Sequence, residues 1–181
     1  MNLPNFLTAL RILLIPIFVI FLIDGAFIKA LGIFTIGALT DAIDGFIARI
    51  TGQRTILGLY LDPIADKLFI ASSYIALSLM NIIPAWLTVI VISRDVFISI
   101  GVVILFIGLE RMELRPTLLS KATTIFQTAT IILSMSGRIW NFSDHRYLFV
   151  AFFMTALFTV LSGVDYLYRG LMLMGSEKRI K

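Results

Sequence analysis

The sequence predicts an all-α integral membrane protein of six transmembrane helices. Three observations lead there. The 181-residue chain is 59% hydrophobic and only 14% charged, whereas a soluble domain is about half apolar and about a quarter charged. Six apolar stretches approach the roughly 20 residues that a spanning helix needs. The breaks between them are short and carry turn residues. No linker leaves room for a second domain, so 1–181 reads as one membrane domain without internal repeats.

The first span is expected over 6–24. Its run Ile12–Ile23 is long enough for a signal-peptide core, but it lacks a small-x-small cleavage pattern and equally apolar segments follow, so it is expected to be retained. Asp24-Gly25 closes it. The second span, 28–50, stops at Thr51-Gly52, and the third, 57–80, stops at Asn81 ahead of Pro84. The fourth covers 84–108. Arg115-Pro116 introduces the fifth, 117–137, and the polar run Gly137–Arg146 separates it from the sixth, 147–174. One set of ends and loops holds Arg49, Arg54, Arg111, Arg115, Lys178, Arg179 and Lys181, and the opposite set holds Lys29, Arg138 and Arg146. The richer set is expected on the cytoplasmic side, which puts both termini there, as in a bacterial inner membrane protein.

Several chemistries are excluded. With no cysteine there is no disulfide framework, thiolate metal site or cysteine nucleophile. The single histidine, His145, lies in a polar loop and argues against zinc chemistry or a His-based triad. The net charge of +4 is dispersed and not interleaved with aromatics, which suits anionic lipid better than nucleic acid. Trp86 and Trp140 fall near expected outer boundaries, as an interfacial aromatic belt does.

The charged residues that remain inside apolar segments are more telling. Asp41 and Asp44 are three apart near the end of the second span, and Asp62 and Asp66 are four apart near the start of the third. Both spacings put a pair on one helix face. A tight turn between the spans folds the pairs toward each other at the cytoplasmic boundary. One ionised Asp at a helix centre costs roughly 2.5–3.5 kcal/mol on translocon scales. Four without compensation therefore cost on the order of 10 kcal/mol, comparable with the stability of a whole domain. Carboxylates without His or Cys suit hard divalent cations, Mg²⁺ or Mn²⁺, and two such ions neutralise four aspartates in the manner of two-metal phosphoryl-transfer sites. Gly45 and Gly58 are poor helix-interior choices unless a ligand approaches the backbone closely, and Arg49 suits a phosphate.

The order Asp41-x₂-Asp44-Gly45-x₂-Ala48-Arg49-x₈-Gly58-x₃-Asp62-x₃-Asp66 resembles, element for element, the signature of the CDP-alcohol phosphatidyltransferase family. The opening LPNFLTALR and the later SRD, PTLLSKATTIFQ and SGVDY segments extend the resemblance along nearly the whole chain. It implies a transferase of phospholipid biosynthesis that moves a phosphatidyl group from CDP-diacylglycerol to an alcohol and releases CMP. It further implies that Asp41, Asp44 and Asp62 hold one metal, that Asp41, Asp62 and Asp66 hold the other, and that Asp66 is the general base. Asp44, Gly45, Ala48, Arg49 and Gly58 would bind CDP-diacylglycerol. A homodimer is implied as well.

The glycerol branch of the family fits best. The acceptor is expected to be glycerol 3-phosphate, giving phosphatidylglycerophosphate. The alternative is phosphatidylglycerol, giving cardiolipin. The Arg94-Asp95 pair, and Ile100-Gly101 where a second arginine would fall, point toward the alternative. Arg94, Lys121, Arg115 and Lys67 are the candidate acceptor-site cations. Asp95 and Asp165 are expected to form structural salt bridges, and Arg94 is a possible partner for either. A cation-coupled transporter also places acids among helices, but it would normally show repeats or broken helices, and this chain shows neither.

Overall fold

The computed structural model describes the backbone of residues 3–51, 56–108, 117–141 and 146–177, with side chains over 8–40, 64–101, 117–141 and 146–170 and at 172. Six helices follow in order: α1 (Leu3–Ile23), α2 (Phe27–Thr51), α3 (Ile56–Leu79), α4 (Ala85–Gly108), α5 (Leu118–Trp140) and α6 (Arg146–Glu177). There is no strand among the described residues. Every expected span coincides with a helix to within about three residues at either end, the ordinary precision of boundaries read from sequence. Of these, α6 is long and apolar enough to cross a membrane, over Arg146–Gly170. It leaves Phe149, Phe153, Leu157, Val160, Val164 and Leu167 exposed, an apolar surface suited to lipid.

The turns form where the sequence marks them. Gly25 has φ 70°. Its N–H bonds to the Leu22 carbonyl at 3.0 Å, and the Ala26 N–H reaches Phe21 at 2.8 Å. This pair of bonds is a Schellman cap, which needs a left-handed residue at its bend. Asn81, at φ 56°, repeats the device at the end of α3: its N–H bonds to Ser78 and that of Ile82 to Leu77, both at 2.9 Å. Asparagine is among the few non-glycine residues that tolerate this conformation.

The chain divides into two compact units, Met1–Ala85 with Ile131–His145, and Trp86–Thr130 with Arg146–Lys181. In the first, α1 packs against both α2 and α3. Three buried rings join them: Phe34 stacks on Phe69 at 5.2 Å, and Phe18 lies 5.8 Å from Phe34 and 6.0 Å from Phe69. Gly37 makes room for this cluster, since a Cβ there would lie 2.6 Å from the Phe69 ring. In the second unit α5 and α6 run antiparallel, joined by hydroxyls. Thr123 donates to the Phe158 carbonyl at 3.0 Å, Thr155 donates to the Phe126 carbonyl at 3.2 Å, and the Thr130 and Thr155 hydroxyls are 2.7 Å apart. Phe126 stacks on Phe158 at 4.4 Å. Such hydroxyl bonds hold helices together where water is scarce.

Candidate active site

The aspartates lie on continuous helix. Asp41 and Asp44 belong to α2, and Asp62 and Asp66 to α3, so both pairs keep the one-face spacing that the sequence implies. Gly45, Ala48 and Arg49 follow on α2, and Gly58 opens α3. The side chains of 41–63 lie outside the described residues, as does Arg115 altogether.

Helical rise fixes the level at which these positions sit. Phe18, Phe34 and Phe69 meet in one cluster, and the Schellman turn at Gly25 sends α2 back alongside α1. Arg11 is seven residues from Phe18 in α1, and Asp41 is seven from Phe34 in the antiparallel α2. At 1.5 Å per residue both lie about 10 Å from the ring cluster in the same direction. Asp66 lies in that direction too, because it is bound to Arg11.

The Arg11–Asp66 pair is the central observation. The Arg11 guanidinium donates from Nη1 to Asp66 Oδ1 across 55 positions of sequence. Arg11 is 2% exposed and the Asp66 side chain 32% exposed. A buried guanidinium on an apolar helix needs a nearby negative charge to offset its desolvation. Asp66, the candidate general base, supplies such a charge. Asp41, Asp44, Asp62 and Asp66, with no histidine or cysteine beside them in the sequence, have the donor chemistry that suits hard divalent cations.

Arg94 forms the second polar centre, within the other unit. It is 9% exposed. Its guanidinium bonds to Asp95 at 2.7 Å, to the Ser120 hydroxyl at 3.0 Å and to the Ser162 hydroxyl at 2.6 Å, while its Nε has no hydrogen-bond partner among the described residues. Asp95 is thus a salt-bridge partner of Arg94. Asp165 instead pairs with Arg169 one turn on, at 3.0 Å. Lys121 follows Ser120 and is exposed, and Lys67 is half-buried beside Asp66. In the sequence Arg11 stands within LPNFLTALR, Ser120 within PTLLSKATTIFQ and Ser162 within SGVDY, with nothing local to identify the contact partner of any of the three. The available signal for Arg11 was a lone cation inside an otherwise apolar first span.

Known proteins resemble this chain throughout. The family model for CDP-alcohol phosphatidyltransferase matches residues 1–162. A probable cardiolipin synthase (CMP-forming) of Drosophila melanogaster is 37% identical over 182 residues, covering 92% of this chain and 56% of that protein. A probable phosphatidylglycerophosphate synthase of Mycobacterium tuberculosis (strain ATCC 25618 / H37Rv) is 35% identical over 180 residues, covering 94% of this chain and 82% of that protein. A CDP-diacylglycerol–glycerol-3-phosphate 3-phosphatidyltransferase of Bacillus subtilis (strain 168) is 30% identical over 181 residues, covering 91% and 93%. The chain spans a little over half the length of the fly relative. With a match over 162 residues that includes all four aspartates, Gly45, Arg49 and Gly58, the chain belongs to the CDP-alcohol phosphatidyltransferase family.

Proposed function

We propose that this chain is a membrane enzyme of phospholipid synthesis that transfers a phosphatidyl group from CDP-diacylglycerol to a glycerol-type acceptor. The acceptor hydroxyl oxygen attacks the lipid-linked phosphorus. The phosphoanhydride P–O bond breaks, CMP leaves with the bonding pair, and the hydroxyl proton passes to Asp66. The observation that carries this reading is the family match over residues 1–162, with the aspartates at the family's spacing.

Asp41, Asp44 and Asp62 hold one divalent cation in this proposal, and Asp41, Asp62 and Asp66 the other. Magnesium is the natural choice and manganese a substitute. When bound, the ions supply charge neutralisation of the donor diphosphate. The chain's own residues do the rest. Asp44, Gly45, Ala48, Arg49 and Gly58 receive the cytidine diphosphate, the glycines by letting it approach the backbone. Arg11 holds the Asp66 carboxylate in one orientation, which a base must keep to meet a hydroxyl at hydrogen-bond distance. Arg94 and Lys121 are the cations for the acceptor's phosphate, with Lys67 and Arg115 as further candidates. Six spans with both termini and the aspartates on the cytoplasmic side are part of the same reading, and the richer share of Arg and Lys at those ends supports the orientation. A homodimer is part of the same reading.

The first acceptor reading is glycerol 3-phosphate, which is named for the Bacillus relative. Phosphatidylglycerol is the second, favoured by the fly relative's name and by the Arg94-Asp95 pair. Purified protein given labelled CDP-diacylglycerol and each acceptor in turn decides between them by the lipid formed. No labelled lipid from either acceptor would overturn the proposal.

A further inference from the structure

At the other end of α1 and α2, away from the aspartates, lies a recess of about 410 Å³ that the reaction does not use. Gly25, Ala26, Phe27, Ile28 and Lys29 line one side, and Arg138 and Ile139 from the last turn of α5 line the other. Lys29 and Asp41 are 12 residues apart on α2, so about 18 Å of helix separates the recess from the level of the aspartates.

Two cations flank this recess, and no described carboxylate neutralises either. The Lys29 ammonium sits 5.7 Å from the Phe21 ring centroid, and the Arg138 guanidinium 5.9 Å from that of Phe27. Neither forms an ion pair among the described residues, although the exposed Asp24 is close in sequence. An aromatic face steadies a cation without cancelling its charge. Both side chains therefore keep their N–H groups for an anion. Between them the lining is mostly apolar: Ala26, Phe27, Ile28 and Ile139. A free inorganic ion gains nothing from such walls. A phosphodiester that carries a glycerol and acyl chains gains from both the cations and the walls, because arginine binds phosphate bidentately and lysine as a point charge.

We propose that this recess binds the phosphodiester headgroup of an anionic phospholipid, in the leaflet opposite the aspartate site. The proposal rests on the membrane orientation above but not on the transfer reaction. A lipid of the product's own charge class, held there, would couple the enzyme to the composition of its membrane.

Trp140, one residue past Ile139 and exposed, supplies the probe. The full chain carrying Trp86→Phe is reconstituted in phosphatidylcholine vesicles doped with bromo-acyl phosphatidylglycerol or bromo-acyl phosphatidylcholine. Quenching of Trp140 is followed against mole fraction. The expected result is half-maximal quenching at a much lower fraction of the anionic lipid. In the Lys29→Gln/Arg138→Gln variant that preference falls about fivefold for each charge removed. The charge-keeping Lys29→Arg/Arg138→Lys variant retains most of it, which separates lost binding from lost folding. Equal quenching by both lipids would overturn the proposal, as would a preference that survives the double Gln change. Inorganic phosphate that displaces the anionic lipid at equal concentration would reassign the site to a free ion and also overturn it. CMP release in the same vesicles reports the transfer reaction separately, and the double Gln variant is expected to keep it.

Discussion

Replacing Arg11 by methionine tests how the base is held. Methionine keeps an apolar, unbranched side chain in α1 and deletes the charge that meets Asp66. Removing one partner of a fully buried ion pair costs about 3–5 kcal/mol. Here the surviving Asp66 is 32% exposed, so water screens part of that loss, and about 2–3 kcal/mol is the better figure. If it falls on the transition state, kcat/KM drops roughly 30- to 150-fold. The assay is the initial rate of CMP release at varied CDP-diacylglycerol, with helicity and monodispersity checked in detergent. Most of the loss is expected in kcat, because a base that no longer points at the hydroxyl slows chemistry more than binding. Arg11→Lys restores the charge without the planar fork and should recover part of the rate. A folded Arg11→Met enzyme with kcat within about twofold of the parent would show that Arg11 does not orient the base. It would return Arg11 to a purely structural tie between α1 and α3.

Three further outcomes are expected. Asp66→Asn keeps shape and removes the base, so turnover collapses while CDP-diacylglycerol binding survives in part, whereas Asp41→Asn weakens binding as well. Equal, mild effects on turnover and donor affinity would contradict that division. Gly37→Val drives a branched side chain into Phe69, which is hemmed in by Phe18 and Phe34. Overpacking should cost about 2–3 kcal/mol in thermal unfolding, with partial rescue by Phe69→Leu. Arg94→Gln should raise the acceptor KM roughly tenfold or more, since one charge-assisted contact is worth about 1.5–3 kcal/mol. An unchanged acceptor KM in a folded variant would assign Arg94 to its bonds with Asp95, Ser120 and Ser162 alone.

Much of the helix plan was legible because its determinants are local. Apolar length set the six helices, and the caps fell on Gly25 and Asn81, two of the few residue types that accept positive φ. The aspartate pairs were legible for the same reason, since a spacing of three or four on a helix is a local fact. The pairing of Arg11 with Asp66 was not, because nothing local links positions 55 apart; only the packing of α1 on α3 does. The Arg94 contacts with Ser120 and Ser162 are likewise tertiary, and serine in an apolar helix gives little warning of its partner. Asp165 shows the reverse. Its i,i+4 spacing to Arg169 is a local fact of the sequence, and that nearer cation, not Arg94, is its partner.

Phosphatidyl transfer at the aspartate site must release CMP, so CMP release reports it without an intervening step. Purified protein is mixed with CDP-diacylglycerol, Mg²⁺ and either glycerol 3-phosphate or phosphatidylglycerol, and CMP and new phospholipid are quantified together. Metal-dependent transfer at this site is expected to give one CMP per new lipid with one of the two acceptors, no release when chelator exceeds the metal, recovery with Mn²⁺, and poor recovery with Ca²⁺, which prefers longer and looser coordination. Full turnover in excess chelator, or no CMP release with either acceptor from folded protein, would contradict it.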